Sequence, residues 1–121
     1  MVNVLVVDDC AMMRGLMKQF LRNENVTVFY AVTAAEAAMF VRKWNFFGSF
    51  VDGRLSGEDS HAFVRDYLVG AVPHIWRIAS HPGYFQGVDK RVLGHGVIDK
   101  ANLQICADVL RDALREESRV H

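Results

Sequence analysis

Val2-Asn3-Val4-Leu5-Val6-Val7-Asp8-Asp9, near the start of a 121-residue chain, is apolar at nearly every position and then stops abruptly on two carboxylates. A strand with one face in water alternates apolar and polar residues, whereas one that is apolar at consecutive positions is buried on both faces. The stretch therefore predicts a central strand of a parallel sheet covered on both sides.

Working outward, Met12, Met13, Leu16, Met17, Phe20 and Leu21 recur at helical spacing and predict a helix over 12–21. A second strand is expected at 26–31. Thr33-Ala34-Ala35-Glu36 has the form in which two side chains satisfy free helix N–H groups, so a helix should run from there to about Trp44. Ser49 to Val51 predicts a third strand ending on Asp52, and the loop Gly53 to Gly57 leads to a helix over about 58–69 closed by Gly70. A fourth strand at 75–79 leads to Ser80. A poorer helix is expected over about 84–93, because Gly87 inside it costs about 1 kcal/mol relative to alanine. The fifth strand, 97–99, stops at Lys100, and Asn102 is expected to cap a last helix to about Glu116. Strands alternating with helices define a doubly wound α/β fold built from right-handed crossovers, with one domain spanning 1–121.

Composition narrows the function. Hydrophobic residues make up 51% of the chain, too many for disorder. The 14 basic and 14 acidic side chains cancel, so the charge excess that would bind nucleic acid or an anionic membrane is missing, and neither partner is expected. No apolar run approaches the roughly 20 residues of a membrane helix, and the first apolar run ends in aspartates, unlike a secretory signal. A cytoplasmic location is expected. Cys10 and Cys106 have no metal-site or disulfide spacing and should be free thiols, and His61, His74, His81, His95 and His121 are too scattered for a zinc site.

In an open α/β sheet, ligands bind beyond the carboxyl ends of the strands. Standing there are Asp8, Asp9, Asp52, Ser80 and Lys100. Aspartates packed together repel, and a divalent cation removes that cost; an all-oxygen set with waters suits Mg²⁺. The remaining carboxylate oxygen can accept a phosphoryl group, whose charge an ammonium and a hydroxyl can help neutralise.

Val4-Leu5-Val6-Val7-Asp8-Asp9, Met13-Arg14, Phe50-Val51-Asp52, Ser80 and Lys100 together resemble the receiver domain of bacterial two-component response regulators, especially the stand-alone, CheY-like chemotaxis form. The resemblance spans the chain and implies a flavodoxin-like (βα)5 sheet of order 2-1-3-4-5. It implies Asp52 as phospho-acceptor and Ser80 and Lys100 as the hydroxyl and cation that meet the phosphoryl group. Mg²⁺ would be held by Asp9, Asp52 and the backbone carbonyl of Arg54, with Asp8 acting mainly through water. The donor would be a phosphohistidine on a sensor histidine kinase or phosphotransfer protein. The chain would then be a phosphotransfer acceptor with slow self-dephosphorylation rather than an enzyme, acting on a separate downstream protein through a surface around the fourth helix, fifth strand and fifth helix.

Ala79-Ser80 reverses the hydroxyl-then-alanine order common in receivers, and three single positions also depart from the pattern. Ala101 replaces the proline after the lysine, Ser56 replaces the proline after the acceptor, and Val97 replaces the aromatic residue that usually couples hydroxyl movement to output. Val97 and Ala101 motivate a second reading, a pseudo-receiver that binds partners without phosphate, which the acidic cluster with Lys100 opposes. A phosphatase of the aspartate-nucleophile type is disfavoured because Asp8-Asp9-Cys10-Ala11-Met12 lacks the Asp-x-Asp-x-Thr pattern, and flavin binding is disfavoured because two anions stand where a phosphate loop should be. Arg77, in the middle of an apolar strand, is expected to pair with Asp99, which shares its sheet face if the fourth and fifth strands are neighbours.

Overall fold

The computed structural model describes residues 1–120, and His121 lies outside the described residues. Five parallel strands form the main sheet: β1 (Val2–Val7), β2 (Val26–Ala31), β3 (Gly48–Asp52), β4 (His74–Ala79) and β5 (Val97–Asp99), in the order β2-β1-β3-β4-β5. This is the doubly wound order expected above.

Alternation along β1 divides the core. Leu5 and Val7 face a cluster with Ala37, Val64, Leu68 and Val92, contributed by α2 (Ala34–Lys43), α3 (His61–Phe63, continuing as a π-helical turn Val64–Leu68) and α4 (Lys90–Leu93). Val4 and Val6 face the opposite cluster with Met17, Leu21, Cys106 and Leu110, from α1 (Ala11–Leu21) and α5 (Ile105–Val120). Val4, Leu5, Val6 and Val7 are all buried, and each such side chain contributes roughly 1.5–3 kcal/mol. Because parallel pairing aligns Val7 with Val51 and Asp52 with Ile78, the residues that follow β1, β3, β4 and β5 emerge along one edge.

The Thr33 cap is present: its hydroxyl accepts from the Glu36 N–H at 3.1 Å, and Glu36 in turn accepts from the Val32 N–H at 2.8 Å. Three boundaries differ from expectation. Glu58 and Asp59 are not helical; they pair with Leu55 and Arg54 in a two-residue antiparallel hairpin turned by Ser56 (φ 55°) and Gly57 (φ 81°), so α3 starts at His61. Positive φ at both central residues is the type I′ turn, whose twist matches that of the strands it joins.

The expected helix over 84–93 is split. Pro82–Phe85 forms a 3₁₀ turn, Gly87 (φ 74°) reverses the chain, and Asp89 restarts the helix by accepting from the Arg91 N–H at 2.8 Å. At the C-terminal end, Lys100–Asn102 is a 3₁₀ turn capped by Asp99 rather than a site for an Asn102 cap. Helix α5 then runs on through the charged tail, where Asp108–Arg111, Asp112–Arg115 and Glu116–Arg119 pair at i,i+3 spacing.

Candidate functional site

The sheet edge brings the expected residues together. Asp8 and Asp52 are buried and Asp9 is exposed, and one carboxylate oxygen from each lies within 4.8 Å of the others. The Lys100 ammonium is 3.2 Å from Asp52 Oδ2. Ser80 is exposed and lines, with Asp52, Gly53, Arg54, His81, Tyr84 and Lys100, an open cavity of about 230 Å³. Arg54 stands at the start of the hairpin, with its N–H 3.4 Å from Asp52 Oδ1 and its guanidinium on the Gly57 carbonyl at 2.6 Å, over the Tyr84 ring.

Each carboxylate is held in place. Asp8 Oδ1 accepts from the Cys10 N–H at 2.9 Å, and Arg14 donates to the Asp8 carbonyl at 2.9 Å. Asp9 Oδ2 accepts from the Ser56 N–H at 2.9 Å, tying the end of β1 to the turn after the acceptor. Burial pushes the Asp8 carboxyl up to about 6; the Cys10 N–H opposes this, Asp52 and Asp9 add to it, and Lys100 offsets part of it. The Lys100 ammonium pairs with Asp52 and offsets only part of the cost at Asp8. The uncompensated charge and the all-oxygen donor set fit a divalent cation of the Mg²⁺ kind, with Asp8, Asp9 and Asp52 as the side chains that would hold it. Among the described residues no other group of three or more potential ligands converges in this way.

No family model matches the sequence, and no curated protein matches it. Solved structures do match its backbone. A CheY-like response regulator receiver domain protein from Methanospirillum hungatei superposes with a TM-score of 0.81 at 17% identity, over 100% of this chain and 99% of that one. A two-component response regulator from Clostridium difficile gives a TM-score of 0.82 at 17% identity, covering 95% and 97% of the two chains. The chemotaxis protein CheY4 of Vibrio cholerae gives 0.79 at 22% identity, covering 93% and 98%.

This chain has the receiver fold.

Two departures from the receiver pattern now have a physical role. Proline fixes φ near −65° and has no N–H, so it could neither adopt the φ of 55° at position 56 nor donate to Asp9. Likewise the Ala101 N–H donates to Asp99 Oδ1 at 2.9 Å, a bond that a proline would remove. In both loops a backbone N–H bound to a carboxylate ties the turn. The third departure leaves space: Val97 is 41% exposed and borders a pocket of about 420 Å³ with Ala79, Phe85, Gln86, Leu93 and Asp99.

The expected Arg77–Asp99 pair does not form. The two residues do share a face, since Arg77 aligns with Val97 and Ala79 with Asp99. But Asp99 is exposed and its carboxylate is taken by the Ala101 N–H, while Arg77 turns inward to Ser60 and to the Val92 carbonyl. Ser60 escaped sequence reasoning altogether. It falls inside the helix expected over 58–69, whereas in the fold it precedes α3, and its hydroxyl caps nothing there but donates to the Asp52 carbonyl.

Proposed function

We propose that this protein is a phospho-accepting response regulator of a two-component or chemotaxis-type pathway, with Asp52 as the acceptor. The observation that carries the reading is the pairing of a buried Asp52 with Lys100 at 3.2 Å beside two further carboxylates, at the carboxyl edge of a receiver fold. Mg²⁺ bound there would supply positive charge to the equatorial oxygens of the transferring phosphoryl group.

The chain's own residues do the rest. An Asp52 carboxylate oxygen attacks the phosphorus of a phosphohistidine on a sensor kinase or phosphotransfer protein. The new O–P bond forms as the P–N bond breaks, and the departing imidazole takes up a proton. Lys100 neutralises charge on the phosphoryl oxygens and Ser80, on the rim of the same cavity, donates its hydroxyl to them. Water attack at phosphorus later returns Asp52 and inorganic phosphate, so the chain itself is an acceptor and not a turnover enzyme. None of its helices is long and apolar enough to cross a membrane among the described residues, and the surface around α4, β5 and α5, which includes the open pocket beside Val97, is the proposed contact for a downstream protein.

Incubation with acetyl phosphate and Mg²⁺ followed by intact mass measurement tests this reading. One phosphoryl group per chain is expected, with none in EDTA and none in Asp52→Asn. No gain in the wild-type protein would favour the phosphate-independent interaction module instead.

A further inference from the structure

Arg77 is the only buried cation among the described residues, and no carboxylate lies within 4 Å of it. A valine or leucine in that strand would fill the core without desolvating a charge, so packing alone gives no reason for an arginine. What an arginine adds is a rigid fork. Nη1 donates to the Val92 carbonyl of α4 at 2.8 Å and faces His61 Nδ1 at 3.4 Å, while Nη2 donates to Ser60 Oγ. The guanidinium lies over the Phe85 ring at 5.0 Å, and its Nε has no partner. Ser60, in turn, donates its hydroxyl to the Asp52 carbonyl and its N–H to the Gly53 carbonyl at 2.9 Å. The sequence of contacts Asp52–Ser60–Arg77–Val92 is thus a continuous buried polar connection from the acceptor to α4.

We propose that Arg77 is a positioning residue that couples the acceptor loop to α4, its two Nη groups fixing Ser60 behind Asp52 and the Val92 carbonyl at one separation. Its consequence for signalling rests on the function proposed above: a phosphoryl group on Asp52 adds negative charge in front of the buried cation, and a shift of the guanidinium moves α4 directly. Burial lowers the Arg77 pKa to about 10, and the charges of Asp59 and Asp52 oppose that, so the guanidinium already senses the acceptor while staying protonated at neutral pH. The route runs on the α3 and α4 side of the sheet and does not need an aromatic residue at Val97.

Hydrogen exchange tests it in the full chain, with Arg77→Lys, Ser60→Ala and Ser60→Thr. The amides to follow are Leu93 and Gly94, which donate to the Asp89 and Lys90 carbonyls in α4, and Gly53, which donates to the Ile78 carbonyl. An ammonium cannot span both acceptors, so in the metal-free protein Arg77→Lys should speed exchange at all three amides roughly tenfold and leave the β1–β2 ladder unchanged. Ser60→Ala should do the same, and Ser60→Thr, which keeps the hydroxyl, should restore slow exchange. With Mg²⁺ and beryllofluoride, the wild type should change exchange at both Gly53 and α4, and the two coupling-deficient variants at Gly53 alone. Wild-type exchange at Leu93 and Gly94 in both Arg77→Lys and Ser60→Ala would overturn the coupling. Ser60→Ala leaves the guanidinium and its volume in place, so the test stands even if Arg77→Lys fails to fold. A wild type unaffected by beryllofluoride contradicts the proposed function instead, and the metal-free arm still decides the coupling.

Discussion

Asp8→Asn is expected to stabilise the metal-free protein above pH 6 and to remove most of its response to Mg²⁺. In the folded chain the Asp8 carboxyl is pushed up to about 6, above its ordinary 3.8, chiefly by burial. A carboxyl with a raised folded-state pKa holds its proton more tightly in the folded state. Relative to the ionised chain its favourable contribution is therefore complete below pH 3.8 and is lost as pH rises through 6. The gap between the two values corresponds to about 3 kcal/mol. Asparagine keeps an oxygen for the Cys10 N–H but must satisfy a buried amide, which leaves a net gain of about 2 kcal/mol. Urea titrations at pH 8 and pH 4 check this: the variant should be more stable than wild type at pH 8, and that advantage should be lost at pH 4, where only the cost of the buried amide remains. Mg²⁺ should raise the wild-type midpoint at pH 8, since a ligand that binds only the folded state stabilises it, and should barely move the variant's. A variant less stable than wild type at pH 8 without metal would contradict the burial penalty on the Asp8 carboxylate.

Gly94→Ala is expected to destabilise the fold by about 3 kcal/mol or more. Gly94 ends α4 with φ 78° and ψ −146°, a conformation essentially confined to glycine. A Cβ there would lie 2.2 Å from the Ile75 carbonyl oxygen and 2.9 Å from its carbon. These are backbone atoms of a central strand and have no rotamer to escape into. The next residue, His95, donates its N–H to that same Ile75 carbonyl, so the clash falls on the joint that seats α4 against β4. Gly87→Ala is the control. Its φ is also positive, at 74°, but nothing lies within 4 Å of the added carbon, so only the conformational cost of about 1 kcal/mol remains. Urea midpoints at a common slope should separate the two variants clearly; equal midpoints would contradict the packing of α4 against β4.

What could be read in advance was what depends on near neighbours. The doubly apolar β1, the Thr33–Glu36 cap and the acidic ends of β1 and β3 each carry their signal within a few residues, and Asp8, Asp9, Asp52 and Lys100 meet as expected. Arg77 showed the limit. Its face was legible from strand alternation, but its partner was not, because Asp99 is captured at short range by the Ala101 N–H while Ser60 reaches Arg77 from 17 residues away. The substitutions at Ser56 and Ala101 read as losses of proline, and their gain, an N–H aimed at a carboxylate, exists only once the loops are folded. Helix α4 is shorter than its sequence pattern suggests because Gly87, tolerable in a helix at a modest cost, instead takes up a positive φ and ends the turn.

The central claim is that Asp52, and not a neighbouring carboxylate or hydroxyl, receives the phosphoryl group. Borohydride reduces an aspartyl phosphate to homoserine, so protein treated with acetyl phosphate and Mg²⁺ can be reduced, digested and sequenced by mass spectrometry. Homoserine is expected at position 52, absent when Mg²⁺ is omitted. Homoserine at position 8 or 9, or phosphate retained on Ser80 with an intact Asp52, would contradict the account.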